Sequence, residues 1–600
     1  MPVSPLCQRR RLAVTAEGIA LATLVTSALV ALRISWRRWP DPIIDAGHQL
    51  YAAWRLSEGA VLYRDVGYLY GPLSAYLNAL LFHIFGPGMM VLVWANLCVY
   101  AAILAVAYHL LRIAYGVLAA FVSCFVLVWI FSFNQLVLVG NYNYALPYAH
   151  ESTHGVLVTF VLLAAASSWL VQRRTWQLLA MGLCAGLSLV LKPEFVLASV
   201  LVLLATLWFS FRQGRPPRRT EVAILVPASL APMTGFWLCL WPSLGCWAAF
   251  RAANQAWWAV LTSSGRAQVW STFSGTDAVL PNLGALVLAG LGCVAGVAIM
   301  WLGARTMARG RALAGLLLPL PAAWAVFFGN FMQLGWCLPL PVATLTVLRA
   351  AAITKRGCAS QDCRTQALGL LLPVAALALL LRMFLQPTIY HFGFYQAALA
   401  AMVTVAELVR FFQQTTAEHR PARFVALACI LGLIAMACIA VQFRSGRIMA
   451  SRTFAVGTGR DRFLTPAPDR DPSGALVGSV ASLLAQRPAD ERVLVVPEGL
   501  MINYLARRKS PVPEWIFIDL TLGEGREDRL VRTLTRDAPE HVVLISRDLR
   551  EHGITRFGAV GQPGSQLLDF LKRRYRLAGS MGGDPLDPEQ RGAVLLELPR

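Results

Sequence analysis

Four short stretches of this 600-residue sequence set ionisable side chains against long apolar runs. Asp45 follows Ile43-Ile44 directly, and Asp65 lies in the tyrosine-rich stretch from Tyr63 to Tyr70. His150, Glu151 and His154 come together at the start of another apolar run; on a helix the two histidines occupy positions i and i+4, on one face. The third stretch is Leu191-Lys192-Pro193-Glu194, and the fourth is Tyr390-His391-Phe392. Carboxylates and cations of this kind suit one chemistry in particular. A carboxylate activates an acceptor hydroxyl, and cations stabilise a leaving phosphate as its charge develops. Asp45 can supply the base. Lys192, His150 and nearby arginines can supply the cations. Glu151 can orient an acceptor or help hold a divalent metal, while Asp65, Glu194 and His391 are further candidates for substrate contact. Plainer roles exist for each. Asp45 suits a helix N-cap, Asp65 a turn with Gly67, and Glu151 and His150 a capped span end. Lys192 suits a membrane-edge anchor, and His391 interfacial packing.

The elements that must position these groups are membrane helices. A span needs about 20 apolar residues. The first runs from about residue 18 to 34, after Arg9-Arg10-Arg11, and it lacks a small-residue cleavage site. Further apolar runs centre near residues 100, 126, 162, 183, 203, 232, 292, 320, 342, 375, 402 and 433, giving about thirteen spans. Basic clusters at Arg112, Arg173-Arg174, 212–219, 305–311, 349–364 and 410–423 fall at alternate ends of these runs. The positive-inside rule puts them, with the N-terminus, in the cytoplasm. All the candidate residues then face the opposite side. The outward loop 36–87 nevertheless carries Arg37, Arg38, Arg55 and Arg64, which need partners of their own. Within it, periodicity predicts two short helices, 47–57 and 72–85, lying along the interface. The Trp-rich segment 247–270 reads as another interfacial helix.

Composition agrees with a membrane protein. Hydrophobic residues make up 57% of the chain and charged residues 14%, against about 25% charged in soluble proteins. The net charge of +21 sits in short clusters between apolar runs, an arrangement that orients spans and does not read as a nucleic-acid surface. Cys358 and Cys363 share a basic loop without a second ligand pair. The chain divides into a membrane domain, 1–443, a linker, 444–474, and a soluble domain, 475–600. In the last, 491–497, 541–546 and 593–598 read as strands, while 481–487, 527–536 and 566–574 read as helices. That alternation predicts a small α/β domain, without a nucleotide-binding glycine motif.

The first outward loop resembles that of the GT-C glycosyltransferases. The resemblance rests on Asp45, Tyr51-Ala52-Ala53, Glu58-Gly59, Tyr63-Arg64-Asp65, Gly71-Pro72-Leu73 and Phe85-Gly86. It points most to the protein O-mannosyltransferase and aminoarabinose-transferase group (glycosyltransferase family 39-like). Leu191-Lys192-Pro193-Glu194, after a Gly-rich span, is similar to another segment of the bacterial members. The resemblance implies a transferase that uses a polyprenyl-phosphate sugar outside the cytoplasm, with Asp45 as general base and an inverting outcome. Two departures stand out: Ala46 replaces a second acid, and Tyr70-Gly71-Pro72 replaces a Lys-Pro-Pro. The phosphate role then falls to Lys192 and His150. Acceptors in the group include envelope glycolipid, glycan or protein hydroxyls, and the expected location is a bacterial plasma membrane with the C-terminal domain outside. Two other readings remain at this stage. One is a flippase for lipid-linked glycan, although no inverted repeat or midplane charge is evident. The other is an inactive relative that serves as an assembly partner.

Overall fold

The computed structural model describes residues 5–262, 271–308, 331–356, 362–415, 420–522 and 525–599. Among them, 10 helices are long and apolar enough to cross a membrane. The runs near 126 and 183 form shorter apolar helices, Val117–Ser132 and Thr175–Leu189. The run near 320, one of the expected thirteen, lies outside the described residues, as does the segment 263–270. The chain is a multi-pass membrane protein.

In chain order the first helices are α1 (Pro5–Ser35), α2 (Ala46–Ser57), α3 (Pro72–Phe85), α4 (Met89–Tyr115), α5 (Val117–Val126), α6 (His150–Gln172), α7 (Thr175–Leu189) and α8 (Pro193–Arg212). They continue with α9 (Arg219–Leu244), α10 (Cys246–Ala253), α11 (Gln255–Thr262), α12 (Val279–Ala308), α13 (Pro339–Arg356), α14 (Cys363–Leu380), α15 (Ala398–Thr415) and α16 (Arg420–Ser451). Helices α14 and α6 are mostly buried, which puts them at the bundle centre, whereas α9 buries little of itself and must face lipid or a partner. In the Trp-rich segment, Trp247 of α10 is 62% exposed, while Trp257 and Trp258 are half-buried.

Helix α16 runs without a break into a hairpin, β1 (Arg452–Val456) and β2 (Phe463–Pro466). The helix end, this hairpin and the start of α17 (Ser473–Ala485) occupy the segment read as a linker. Beyond it lies a four-stranded sheet made of β3 (Val493–Val496), β4 (His541–Ile545), β5 (Arg576–Gly582) and β6 (Gly592–Glu597), in the order β3-β4-β6-β5. The β3–β4 pair is parallel and the other pairs are antiparallel. Helices α18 (Leu500–Ala506), α19 (Arg526–Arg536) and α20 (Ser565–Arg574) complete the domain. Its core is aliphatic, with Leu494, Val496, Leu534, Val542, Leu567 and Leu571 all buried.

Helices α2 and α3 form where the sequence predicts them, but α2 does not lie open along an interface. Nearly all of it is buried, because it is packed against both α3 and α18. Gly47 makes this possible: a Cβ there would sit 2.2 Å from the Met501 backbone nitrogen. The C-terminal domain therefore roofs the loop 36–87. Tyr51 Oη accepts from the Ser510 N–H at 2.8 Å, the Gly67 N–H donates to Pro513 O at 2.9 Å, and His48 stacks on Trp515 with centroids 4.7 Å apart. The loop arginines that ran against the charge rule have protein partners. Arg37 donates to Gly459 O and Arg462 O, Arg38 to Arg452 O, Arg55 to Glu58 and Arg64 to Asp65.

Candidate active site

The site is built where the loop 36–87 meets the start of α8. A tight turn at Val190-Leu191 ends α7, and Lys192 precedes Pro193 at the first position of α8. The segment Tyr70-Gly71-Pro72 lies directly on that turn. The Gly71 N–H donates to Leu191 O at 2.9 Å and the Leu73 N–H to Val190 O at 3.3 Å. Only glycine fits, since a Cβ at position 71 would stand 2.1 Å from Val190 O. This contact brings the Tyr70 ring over Lys192, with Nζ 4.3 Å from the centroid. Tyr148 and Tyr395 complete an aromatic cage, their centroids 4.6 Å and 5.5 Å from Nζ.

Lys192 is only 1% exposed, so its charge must be met from within. Nζ donates to Tyr148 Oη at 2.5 Å and lies 3.6 Å from Glu194 Oε1. The same carboxylate oxygen accepts from Arg382 Nη1 at 2.9 Å and from Tyr395 Oη at 2.6 Å. Arg382 also stacks on Phe392 at 4.2 Å. Two cations thus share one carboxylate, leaving one positive charge in a buried, ring-lined setting. That arrangement suits an anion such as a phosphate.

Asp45 is linked to this cluster through the Tyr70 ring, which its charge influences. It stands immediately before α2 but makes no side-chain cap hydrogen bond, which removes the simplest structural role for it. Its φ of 61° and ψ of −68°, with the Ala46 N–H donating to Ile44 O at 2.7 Å, define a γ-turn, a strained conformation for a non-glycine residue. Asp41 builds the turn's frame. Its carboxylate accepts from the Ile43 and Ile44 N–H groups at 2.9 Å and from Gly140 N–H at 3.1 Å. Gly140 leaves room beside Asp45: a Cβ there would lie 3.3 Å from Oδ2. Asp45 is within electrostatic reach of Tyr70 and Tyr142. Burial, then the Glu498 and Asp41 carboxylates, push its pKa well above the usual carboxylate range, a direction that suits a base working near neutrality.

The other candidates separate into layers. His391, with φ 49°, packs against the Tyr142 ring at 4.4 Å, so it borders the same aromatic cluster. Glu151 turns to a neighbouring buried layer, where Tyr68 Oη donates to its Oε1 at 2.7 Å. It is the next residue, Ser152, that meets Lys192, at 3.3 Å. His150 does not turn toward Lys192. It accepts from Asn96 Nδ2 at 3.2 Å on α4, because one helical turn cannot aim positions 150 and 152 at the same neighbour. Asp65 closes its own turn, accepting from the Val61 N–H at 2.8 Å. The Arg64 guanidinium holds its pKa down. Among the described residues no three His, Cys, Asp or Glu side chains gather as metal ligands; Cys358 lies outside those residues.

Sequence reasoning missed Arg382, Tyr395 and Tyr148. One signal was available: Arg382 is a lone arginine near the outward end of the run centred on 375, the end the charge rule leaves free of arginine.

No protein-family model matches the sequence, and no curated protein matches it. Similarity to solved structures is low in sequence and extensive in fold. Cupriavidus metallidurans ArnT, solved bound to undecaprenyl phosphate, is 12% identical, with 96% of this chain and 97% of that one covered at a TM-score of 0.51. The Archaeoglobus fulgidus oligosaccharyltransferase, solved tethered to an acceptor peptide, is 14% identical, with 94% of this chain and 73% of that one covered at a TM-score of 0.50.

Proposed function

We propose that this chain, which has the fold of the GT-C glycosyltransferases, transfers a sugar from a polyprenyl-phosphate donor to an acceptor hydroxyl. The observation that carries the reading is the buried Lys192–Glu194–Arg382 cluster, caged by tyrosines of which Tyr70 lies within electrostatic reach of the strained Asp45 turn. The donor phosphate binds Lys192 and Arg382, with Arg382 taking the part first given to His150. Asp45 accepts the proton of the acceptor hydroxyl, whose oxygen attacks the anomeric carbon. The bond from that carbon to the phosphate oxygen breaks, and its electron pair leaves with the lipid phosphate. Attack opposite the leaving group inverts the anomeric centre. The lipid-facing bundle beside the cluster lets a lipid-linked donor enter sideways. Glu151, Glu194 and His391 shape the surroundings of donor and acceptor. The acceptor is an envelope glycolipid, glycan or protein, and the site faces outward from a bacterial plasma membrane. The solved ArnT complex with undecaprenyl phosphate supports the donor class.

The test is a transfer assay with purified protein in lipid nanodiscs. A panel of polyprenyl-phosphate sugars is supplied with acceptor fractions, and release of polyprenyl phosphate is followed together with glycosylated product. Asp45→Asn should lower the rate by about 10²-fold or more, the usual share of a general base, at unchanged donor affinity. Full activity of that variant would overturn the assignment of the base.

A further inference from the structure

Packing of α2 on α18 has a consequence for Asp45. Gly47, two residues past Asp45, abuts the Met501 backbone, and Glu498 stands three residues before Met501, at the end of β3. Glu498 is buried and accepts from Arg547 Nε at 2.7 Å. Arg547 follows β4 and is itself only 6% exposed along its side chain. It also donates to Glu551 and to Asp548 O. Glu551 in turn faces Tyr142 and His391 electrostatically. Glu551, at the end of the 547–551 segment of the C-terminal domain, therefore lies within electrostatic reach of the same Tyr142 ring that Asp45 influences. The charged groups that act most on Asp45 are Asp41 on its own loop, and Glu498, Arg547 and Glu551 on the C-terminal domain. Tyr70 and Tyr142 are the neutral titratable neighbours. Two of the carboxylates, Glu498 and Glu551, pair with the Arg547 guanidinium.

We propose that Arg547 is a positioning residue through which the C-terminal domain completes the transfer site, holding Glu498 and Glu551 in place and stabilising the ionised Asp45 carboxylate from above. The inference rests on the proposed transferase reading for its purpose but not for its test. Without Arg547, Glu498 and Glu551 lose a counter-ion in a partly dry setting, and ionised Asp45 becomes harder to form. The C-terminal domain is then a working part of the site.

The test reads the protonation of Asp45 directly. Full-length protein in nanodiscs is treated with a hydrophobic carbodiimide, which reacts with protonated carboxyls, across a pH series, and labelling of Asp45 is measured by peptide mass spectrometry. Arg547→Gln should move the labelling midpoint upward by about one pH unit, a typical effect of removing a nearby opposite charge. Arg547→Lys should restore most of the shift. Glu551→Gln, at a half-exposed position that tolerates change, should move the midpoint downward. An unmoved midpoint in folded Arg547→Gln protein overturns the proposal, and so does an upward shift in Glu551→Gln. Should Arg547→Gln fail to fold, the sign of the Glu551→Gln shift decides alone. Expected shifts in a protein that transfers no sugar from any donor would sink the transferase reading and leave this electrostatic role standing.

Discussion

Asp45 carries an electrostatic load that kinetics can read. If Asp45 is the base, as proposed, its raised pKa, set by burial and then by Glu498 and Asp41, should place the acid limb of kcat/KM above the ordinary carboxylate range, because a base works only when deprotonated. Asp41→Asn removes one of the like charges, so the limb should move to lower pH. The same change turns the acceptor beside the Gly140 N–H into an amide, so the maximal rate should fall as well. Rate–pH profiles of the two proteins check both statements. Arg382 is the second residue to probe. Glu194 and Arg382 are 6% and 14% exposed along their side chains, and removing one partner of a buried pair typically costs about 3–5 kcal/mol. Arg382→Gln should therefore lower stability by roughly that amount, discounted for the remaining Lys192 contact, and should also weaken donor binding. Denaturation midpoints and titration with polyprenyl phosphate separate the two effects.

At the scale of elements, two glycines set the spacing of the site. Gly71 lets the Tyr70 segment lie on the Val190-Leu191 turn, which places the Tyr70 ring on Lys192. Gly71→Ala drives a Cβ into the Val190 carbonyl, and overpacking of this kind costs about 1–3 kcal/mol. The expected result is a raised KM for the donor with a smaller change in kcat, measured by initial rates. Gly47 sets the approach of α18 to α2 in the same way, with the Met501 backbone nitrogen 2.2 Å from an added Cβ. Gly47→Ala should loosen the roof of the site, seen as faster hydrogen exchange across residues 500–516 together with loss of transfer. Faster exchange at an unchanged rate would mean that the roof contributes nothing to chemistry.

At the scale of the whole molecule, the placement of basic clusters predicts that the C-terminal domain and the proposed site lie outside while the basic loops lie inside. Lys572 is exposed near the end of α20. In Lys572→Cys protein, a membrane-impermeant maleimide should add a label to intact spheroplasts that the parent chain lacks. Labelling only after permeabilisation would reverse the orientation. The molecule is also a single arrangement of two layers. The membrane bundle supplies Lys192, Glu194 and Arg382, and the soluble domain closes over Asp45 through contacts such as His48 on Trp515. Burial pushes the His48 pKa down to about 4, so this stack is between neutral rings at physiological pH.

Local pattern alone determined much of this protein. Long apolar runs must become spans because lipid leaves backbone groups no other partner. The short helices 46–57 and 72–85 and three of the four sheet strands were legible from periodicity and from Gly-Pro punctuation. Asp45 and Lys192 were legible because a charge beside an apolar run is costly and invites explanation. Strand β5 was not legible, since all its residues are exposed and it has no alternation to read; nor was α18, almost wholly buried, which has no polar face. The partners of the candidate residues were decided by tertiary structure. Arg382 meets Glu194 across 188 positions, and Glu498 reaches Asp45 only because α18 docks on α2. Whether His150 or Arg382 joined Lys192 depended on helix rotation and packing, which carry no signature in a linear pattern. The sequence named the chemistry's ingredients and the side of the membrane they should share, and only the packed chain determined which of them meet.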